Sequence, residues 1–205
     1  MHFSDDGNWF GLPQLLGVLA AYALGCVNTG YYLVRWKTGQ DLRQLGSGNA
    51  GAKNVGRVLG SWGFAASFVG DILKGALAVW GAQQAGFATP VQALVMLAVI
   101  AGHTWPAQLG FRGGKGMATS YGALLFFDPL VAGVLFVLCA MLLAVTRRFT
   151  LSALGAYALS PLVAALLGRG ATAVLVFVAF TGLVLFAHRL NLREEFARHS
   201  PPSDS

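Results

Sequence analysis

Long apolar stretches, separated by short polar segments, follow one another along most of the chain. Seven of them are predicted as membrane-spanning helical segments, at about residues 10–34, 62–82, 90–110, 117–127, 130–146, 151–168 and 171–187. Most have the roughly 17 to 25 residues that a helix needs to cross about 30 Å of hydrocarbon. Composition agrees, since 56% of the 205 residues are hydrophobic and only 11% are charged. The sequence therefore predicts an all-α integral membrane protein.

The first stretch has a cleaved signal peptide as its alternative, because Ala21-Tyr22-Ala23 imitates a cleavage site. The residues before it contain Asp5 and Asp6 and no Lys or Arg, which is the reverse of a positively charged signal-peptide start. We therefore predict that this stretch is a true span.

The fourth stretch, residues 117–127, covers only about 16 Å as a helix, which is too short for an ordinary bilayer. One long helix reaching Val145 is the alternative. Asp128-Pro129 favours a break, because proline disfavours a helical residue before it and a charge within the membrane is costly. We therefore expect a separate short segment here.

The distribution of positive charge favours the same break. With a break at Asp128-Pro129 and the N-terminus outside, twelve of the fourteen Lys and Arg residues lie on one side of the membrane. Lys74 lies within a span, and Arg169 lies on the opposite side. Without the break, the division is eight against five. The positive-inside rule then predicts about seven segments and a cytoplasmic C-terminus. We expect one domain over residues 1–193 and a polar, disordered tail over 194–205.

Residues 46–57, in the first predicted cytoplasmic loop, have the composition of an anion-binding loop. Glycines permit positive φ and leave backbone N–H groups free to point into a concavity. The candidate binding residues are Ser47, Gly48, Asn49, Gly51, Lys53, Asn54 and Arg57. The spacing is not that of a Walker loop. A flexible, solvated turn that carries positive-inside charges is the alternative.

Residues 102–119 repeat this chemistry in the next loop on the same side, with Gly113, Gly114 and Lys115 at its centre. Two anion-type loops on one face suggest two phosphate groups. His103, at the start of this segment, is a candidate general base, and a histidine satisfied at a helix end is the alternative.

Two further pairs of polar residues lie three positions apart on predicted spans. Asp71 and Lys74 share one helix face inside the second span, where an ionisable pair is functional by default and an ion pair that locks two helices is the alternative. His188 and Asn191, at the end of the last span, either reach the same pocket or lie among lipid headgroups.

Together these stretches resemble the PlsY family, the bacterial integral membrane acyltransferases that use acyl phosphate and glycerol 3-phosphate. The resemblance extends from about Gly25 to Leu192. It rests on GSGNxGxTN with an arginine three residues later, GHxxPxxxxFxGGKGxAT, DxxKG between them, a short basic-aromatic-serine segment and a closing HRxN. Motifs this long and numerous are specific.

The resemblance implies transfer of a fatty acyl group from acyl phosphate to the 1-hydroxyl of glycerol 3-phosphate, which opens phospholipid synthesis. The implied catalytic residues are His103, Lys115, Thr150 and Asn191. The implied substrate- and phosphate-binding residues are Ser47, Gly48, Asn49, Gly51, Lys53, Asn54, Arg57, Asp71, Lys74, Gly113, Gly114 and His188. The family also implies a soluble partner that supplies acyl phosphate, and a cell (plasma or inner) membrane location with the active site facing the cytoplasm.

The sequence contains no Ser-His-Asp order and no GxSxG elbow, so we expect direct attack on acyl phosphate rather than a covalent acyl-enzyme. The base is then His103 or a phosphate oxygen of the substrate. We predict no cofactor, metal or nucleic-acid partner. The two cysteines, Cys26 and Cys139, lie in apolar runs and are expected to pack as small hydrophobic residues.

Some residues depart from the family pattern. Lys53 stands where threonine is usual, and Cys26 and Asn28 stand where serine and proline are usual. Thr150 stands where serine is usual, and Leu190 where an acidic residue is common. These changes leave open a paralogue that acylates a different anionic acceptor. An anion transporter or a structural membrane subunit would be a different class of protein; a transporter predicts inverted repeats, and none is evident.

Overall fold

The computed structural model describes residues 10–189 and 192, and in this part of the chain the regular structure is entirely helical. Its α-helices are α1 (Leu12–Cys26), α2 (Thr29–Thr38), α3 (Ala52–Gln84), α4 (Thr89–Thr104), α5 (Met117–Phe127), α6 (Pro129–Thr146), α7 (Phe149–Ala158), α8 (Ser160–Leu166) and α9 (Gly170–Ala187). Short 3₁₀ helices form at Leu42–Gln44 and Ala107–Leu109.

Five of these helical stretches are long and apolar enough to cross a membrane: Leu12–Thr38, Ala52–Gln84, Thr89–Leu109, Pro129–Thr146 and Gly170–Ala187. Helices α7 and α8 are long and apolar enough only when taken together and are bent by 44° where they meet, as in a broken span or a re-entrant loop, and α5 is a shorter apolar helix of 11 residues. The predicted all-α integral membrane protein is confirmed. The number of seven segments and their orientation stay predictions.

The predicted break after α5 is present and has a clear cause. Asp128 ends α5, and its Oδ1 accepts a hydrogen bond from the Val131 backbone N–H at 3.1 Å to begin α6. The buried carboxylate is paired with Arg169, whose Nε lies 2.9 Å from Oδ2 and whose Nη2 donates to Oδ1 at 2.9 Å. Arg169 directly precedes α9, so this ion pair ties two helix junctions together.

The start of the second predicted span lies too far along the sequence. We placed its start at residue 62, but α3 begins at Ala52 and bends at Gly60, where φ is 77° and ψ is −169°. Only glycine adopts such a conformation readily. Lys53 and Arg57 therefore lie on the first turns of a helix rather than in an open loop. The apolar pattern missed these turns because they face a polar cavity instead of lipid.

Glycines let the central helices pack backbone against backbone. A Cβ on Gly75 of α3 would collide with the Thr119 carbonyl of α5, and a Cβ on Gly122 of α5 would collide with the Ile72 carbonyl of α3. Helices α1 and α4 approach each other in the same way. Small residues at helix crossings are the usual means of close packing in a membrane. This packing places the polar ends of α3, α4 and α5 next to one another.

Candidate active site

A cavity of about 880 Å³ lies between the first turns of α3, the α4–α5 connection, the start of α7 and the end of α9. Most residues that the sequence predicted as site residues line it: Ser47, Gly48, Asn49, Gly51, Lys53, Asn54, Arg57, Asp71, His103, Gly113, Lys115, Thr150 and His188. Lys74 and Gly114 are not among the lining residues. Asn191 lies outside the described residues. The two glycine-rich loops are therefore brought to one site.

Asn54 holds the first loop in shape. Its Oδ1 accepts from the Ser47 N–H at 2.8 Å, while its Nδ2 donates to the Leu45 carbonyl at 2.8 Å and the Leu42 carbonyl at 3.2 Å. Gly46 has a φ of 55°, and a Cβ there would collide with the Asn54 Oδ1. We predicted Asn54 as a donor to a phosphate, but both its amide groups are engaged within the chain, so it organises the loop.

The first turn of α3 presents a helix N-terminus to the cavity. Gly51 caps this helix without a side-chain hydrogen bond, and Ala52 and Lys53 line the cavity. Unpaired N–H groups give a helix N-terminus a partial positive charge that favours anions. Arg57, one turn further on, adds a guanidinium on the same side. These groups can bind a phosphate.

Asp71, Lys74 and His103 form a buried cluster beneath the cavity. The Lys74 Nζ lies 3.0 Å from Asp71 Oδ1 and 2.8 Å from His103 Nδ1, and His103 Nδ1 lies 3.6 Å from Asp71 Oδ1. Lys74 also donates to the carbonyls of Gly25 at 3.1 Å and Val27 at 2.8 Å. All the contacts of the ammonium are internal, which favours the interpretation of Lys74 as a structural residue.

The same cluster argues against His103 as the general base. A charged ammonium only donates, so the His103 Nδ1 accepts from Lys74 and the neutral ring carries its proton on Nε2. A Cβ on Gly114 would collide with this Nε2, which explains the glycine. The geometry thus favours the alternative of a satisfied helix-end histidine, with its ring forming part of the cavity floor.

Lys53 spans the cavity from α3 to α7. Its Nζ donates to the Thr150 Oγ1 at 2.9 Å and lies 5.3 Å from the centre of the Phe149 ring. The residue that departs from the family pattern therefore contacts Thr150, another predicted site residue. This bridge brings a cation and a hydroxyl together at the cavity wall.

His188 is a buried neutral group at the end of α9. Its Nδ1 lies 2.9 Å from the Val184 carbonyl, an acceptor, so Nδ1 carries the proton and Nε2 keeps a lone pair. Burial, and secondarily the positive charge of Lys115, lowers the pKa of His188 from 6.5 to about 4. At neutral pH this side chain therefore adds no charge to the cavity.

The His188 pKa predicts a pH dependence of stability. The folded state keeps this imidazole neutral, so its contribution is complete above pH 6.5 and is lost progressively as the pH falls to about 4. We expect a loss of about 3 kcal/mol in the free energy of unfolding across this range. Thermal melts in detergent of wild type and His188→Gln, run from pH 7 to pH 4, isolate this effect. Parallel pH profiles for the two proteins would contradict the prediction.

Sequence comparison places the chain in a known group of proteins. The family model for glycerol-3-phosphate acyltransferase matches residues 15–198. The chain belongs to the glycerol-3-phosphate acyltransferase family. Among relatives, it is similar to glycerol-3-phosphate acyltransferase 1 of Desulfitobacterium hafniense, with 40% identity over 190 residues, 93% of this chain and 94% of the relative. The glycerol-3-phosphate acyltransferase of Geobacter sulfurreducens is 40% identical over 183 residues, 89% of this chain and 93% of the relative.

The fold of this glycerol-3-phosphate acyltransferase family member is similar to that of solved structures. A crystal structure of PlsY, an integral membrane glycerol 3-phosphate acyltransferase in its glycerol 3-phosphate form, gives a TM-score of 0.83 at 30% identity. The lysophosphatidic acid form gives 0.81 at 27% identity, and both matches cover 93% of this chain and 95% of the other. The resemblance predicted from the motifs is confirmed.

Some cavity residues were missed by the sequence interpretation of this acyltransferase. Arg112 lies within the second motif, directly before Gly113, yet we assigned it no role. The apolar part of the cavity wall includes Phe64, Phe68, Met117, Leu151 and Leu154. Phe64 and Phe68 stack on one face of α3 with ring centres 5.6 Å apart. In sequence they look like any lipid-facing pair, so no signal separated them from the rest of the span.

Proposed function

We propose that this chain transfers a fatty acyl group from acyl phosphate to the 1-hydroxyl of glycerol 3-phosphate and releases lysophosphatidic acid and phosphate. The observation that carries the proposal is one cavity that joins two cationic glycine-rich loops to an apolar wall. Both substrates carry a phosphate, and the donor also carries a long hydrocarbon chain. The family membership agrees with this reaction.

The cations of the cavity bring two anions together. Lys53 and Arg57 at the start of α3 and Lys115 in the second loop offset the repulsion between two phosphates, together with the backbone at Gly51. The backbone N–H groups of Ser47 and Gly48 are already engaged, with Asn54 Oδ1 and the Leu45 carbonyl. The hydroxyl oxygen and the acyl carbon must approach within about 3.5 Å for attack. Neutralising both phosphates at once makes that approach favourable.

The reaction then follows as direct acyl transfer. The hydroxyl oxygen forms a bond to the acyl carbon, and the bond from that carbon to the phosphate oxygen breaks. The hydroxyl proton passes to a substrate phosphate oxygen, because His103 Nδ1 is already engaged with Lys74. Lys115 and the Thr150 hydroxyl stabilise the negative charge on the departing phosphate, and Asn191 and His188 remain candidates for orienting the acceptor.

The acyl chain extends along the apolar wall formed by Phe64, Phe68 and Leu154. The first turns of α3 hold the polar heads at the membrane surface, while the part of the helix after Gly60 continues into the hydrocarbon. A donor that is half phosphate and half fatty chain fits such a junction.

We place the cavity on the cytoplasmic side of the cell (plasma or inner) membrane. The positive-inside distribution supports this orientation, because the loops that form the cavity lie on the side that receives twelve of the fourteen Lys and Arg residues in the predicted topology. A soluble enzyme of the cytoplasm then supplies acyl phosphate. The chain remains one membrane domain up to residue 193 in this proposal.

The direct test uses the purified protein in detergent or lipid with palmitoyl phosphate and glycerol 3-phosphate, and identifies products by mass spectrometry. Lysophosphatidic acid and an equal amount of phosphate are expected. Hydrolysis of acyl phosphate without lysophosphatidic acid would overturn the assigned acceptor and favour a paralogue. Absence of any reaction in well-folded protein would overturn the enzyme proposal.

Replacing Lys53 by threonine tests its role at the phosphate sites. We expect Lys53→Thr to raise KM for one of the two phosphate substrates about fivefold with little change in kcat, since a partly exposed charge contact contributes about 1 kcal/mol. Lys37→Thr is the matched control, because Lys37 is exposed on α2 and contacts Trp36 and Trp62. Unchanged KM values for both substrates in Lys53→Thr would exclude a binding role.

A further inference from the structure

A buried amide lies between the two glycine-rich loops and contacts both. Asn28 occupies the junction of α1 and α2 and is fully buried. With its amide oriented so that donors face acceptors, Nδ2 lies 3.0 Å from the Ala50 carbonyl and Oδ1 lies 3.2 Å from the Gly114 N–H. In the opposite orientation Nδ2 reaches the His103 carbonyl at 3.3 Å, but like groups then face each other at Ala50 and Gly114.

We propose that Asn28 is a positioning residue that sets the distance between the two phosphate-binding loops. This inference rests on the proposed function. Ala50 lies between Asn49 and Gly51, and Gly114 lies between Gly113 and Lys115; these four neighbours line the cavity. A single planar amide thus joins the backbones of both loops directly behind their lining residues.

The Asn28 side chain is available for this task because it does not cap a helix. Asparagine before a helix ordinarily caps it through its side chain. Here the Asn28 side chain makes no cap bond to α2, and only the backbone carbonyl of Asn28 accepts from the Tyr32 N–H, at 3.1 Å. The amide instead points towards the loops. The Ala50 carbonyl accepts from Nδ2, and the Gly114 N–H, which also donates to the His103 carbonyl at 3.0 Å, is shared with Oδ1, so asparagine supplies one donor and one acceptor here.

Two residues of the second loop are also hydrogen-bonded to α1. The Tyr22 hydroxyl donates to the Trp105 carbonyl at 2.7 Å, and the Gln108 Nε2 donates to the Cys26 carbonyl at 2.6 Å. Asn28 connects the first loop to this hydrogen-bonded pair of α1 and the second loop. A displacement of about 1 Å between reacting groups can cost about 100-fold in rate. The amide therefore controls catalysis through the relative position of the two substrates.

The test compares Asn28→Leu and Asn28→Asp with wild type. Leucine makes neither bond, and aspartate keeps the acceptor for the Gly114 N–H but cannot donate to Ala50. We expect kcat to fall about 30- to 100-fold in Asn28→Leu, with KM for each substrate changed less than about threefold. Gln92→Leu is the control, because it also removes an amide-to-carbonyl bond, from Gln92 Nε2 to the Phe87 carbonyl at 2.7 Å, outside the cavity.

Hydrogen exchange measures how firmly Asn28 holds the two loops, independently of enzyme activity. Peptides covering residues 46–52 and 111–116 are expected to exchange faster in Asn28→Leu than in wild type or Gln92→Leu. Unchanged exchange in either loop, or a kcat of folded Asn28→Leu within threefold of wild type, would overturn the positioning role. If the loops exchange faster but the wild type forms no lysophosphatidic acid, the positioning of the loops by Asn28 is supported and the proposed function is contradicted.

Discussion

Lys115→Ala is expected to lower kcat/KM for acyl transfer by about 100- to 1,000-fold. Lys115 lines the cavity in the second glycine-rich loop, where the phosphate of the donor would carry the growing negative charge as the acyl bond breaks. Removing one preorganised group that stabilises such charge typically costs about 3 to 4 kcal/mol of the activation barrier. Most of the loss should appear in kcat, because the charge grows on the way to the transition state.

Steady-state rates with palmitoyl phosphate and varied glycerol 3-phosphate measure this effect. Lys115→Arg keeps the charge and should recover part of the rate, whereas Lys37→Ala removes an exposed cation of α2 and should leave the rate near that of wild type. Folding of each variant is checked by its thermal midpoint in detergent. A Lys115→Ala protein that is folded and within tenfold of wild type would remove Lys115 from the catalytic residues.

Asp71→Ala is expected to destabilise the protein by about 3 to 5 kcal/mol. Asp71 and Lys74 are both nearly inaccessible to solvent, and their charged atoms are 3.0 Å apart. Removing the carboxylate leaves a buried ammonium with only neutral partners, which is the costly case for an ion pair. This loss is a large fraction of the roughly 5 to 15 kcal/mol by which folded proteins are ordinarily stable.

A double replacement distinguishes the effect of the two charges on stability from the effect of side-chain volume. Asp71→Leu combined with Lys74→Met removes both charges and keeps apolar volume, so much of the lost stability should return. Thermal midpoints of the single and double variants test this. A single Asp71→Ala variant as stable as wild type would show that Lys74 does not depend on Asp71. Activity of the folded double variant then reports whether the ion pair has a role beyond stability.

The apolar pattern alone determined where most helices lie. The bounds of α5, Met117–Phe127, agree with those predicted, because Gly116 before it and Asp128-Pro129 after it are local signals that act within a few residues. The motifs were likewise sufficient to predict the family and most of the residues that line the cavity. These predictions depend on residues close together in the chain, so a sequence can carry them.

The tertiary structure decided what individual polar residues do. Asn54 and Lys74 looked like phosphate ligands in sequence, yet their donors are taken by backbone carbonyls up to 49 residues away. Asn28 looked like a departure from a pattern, and its partners Ala50 and Gly114 belong to different loops. A hydrogen bond depends on angstrom-scale distances that arise only when helices pack. The residue types predict which chemistry is available, and the packing of α1, α3, α4 and α5 decides which of those groups remain for a substrate.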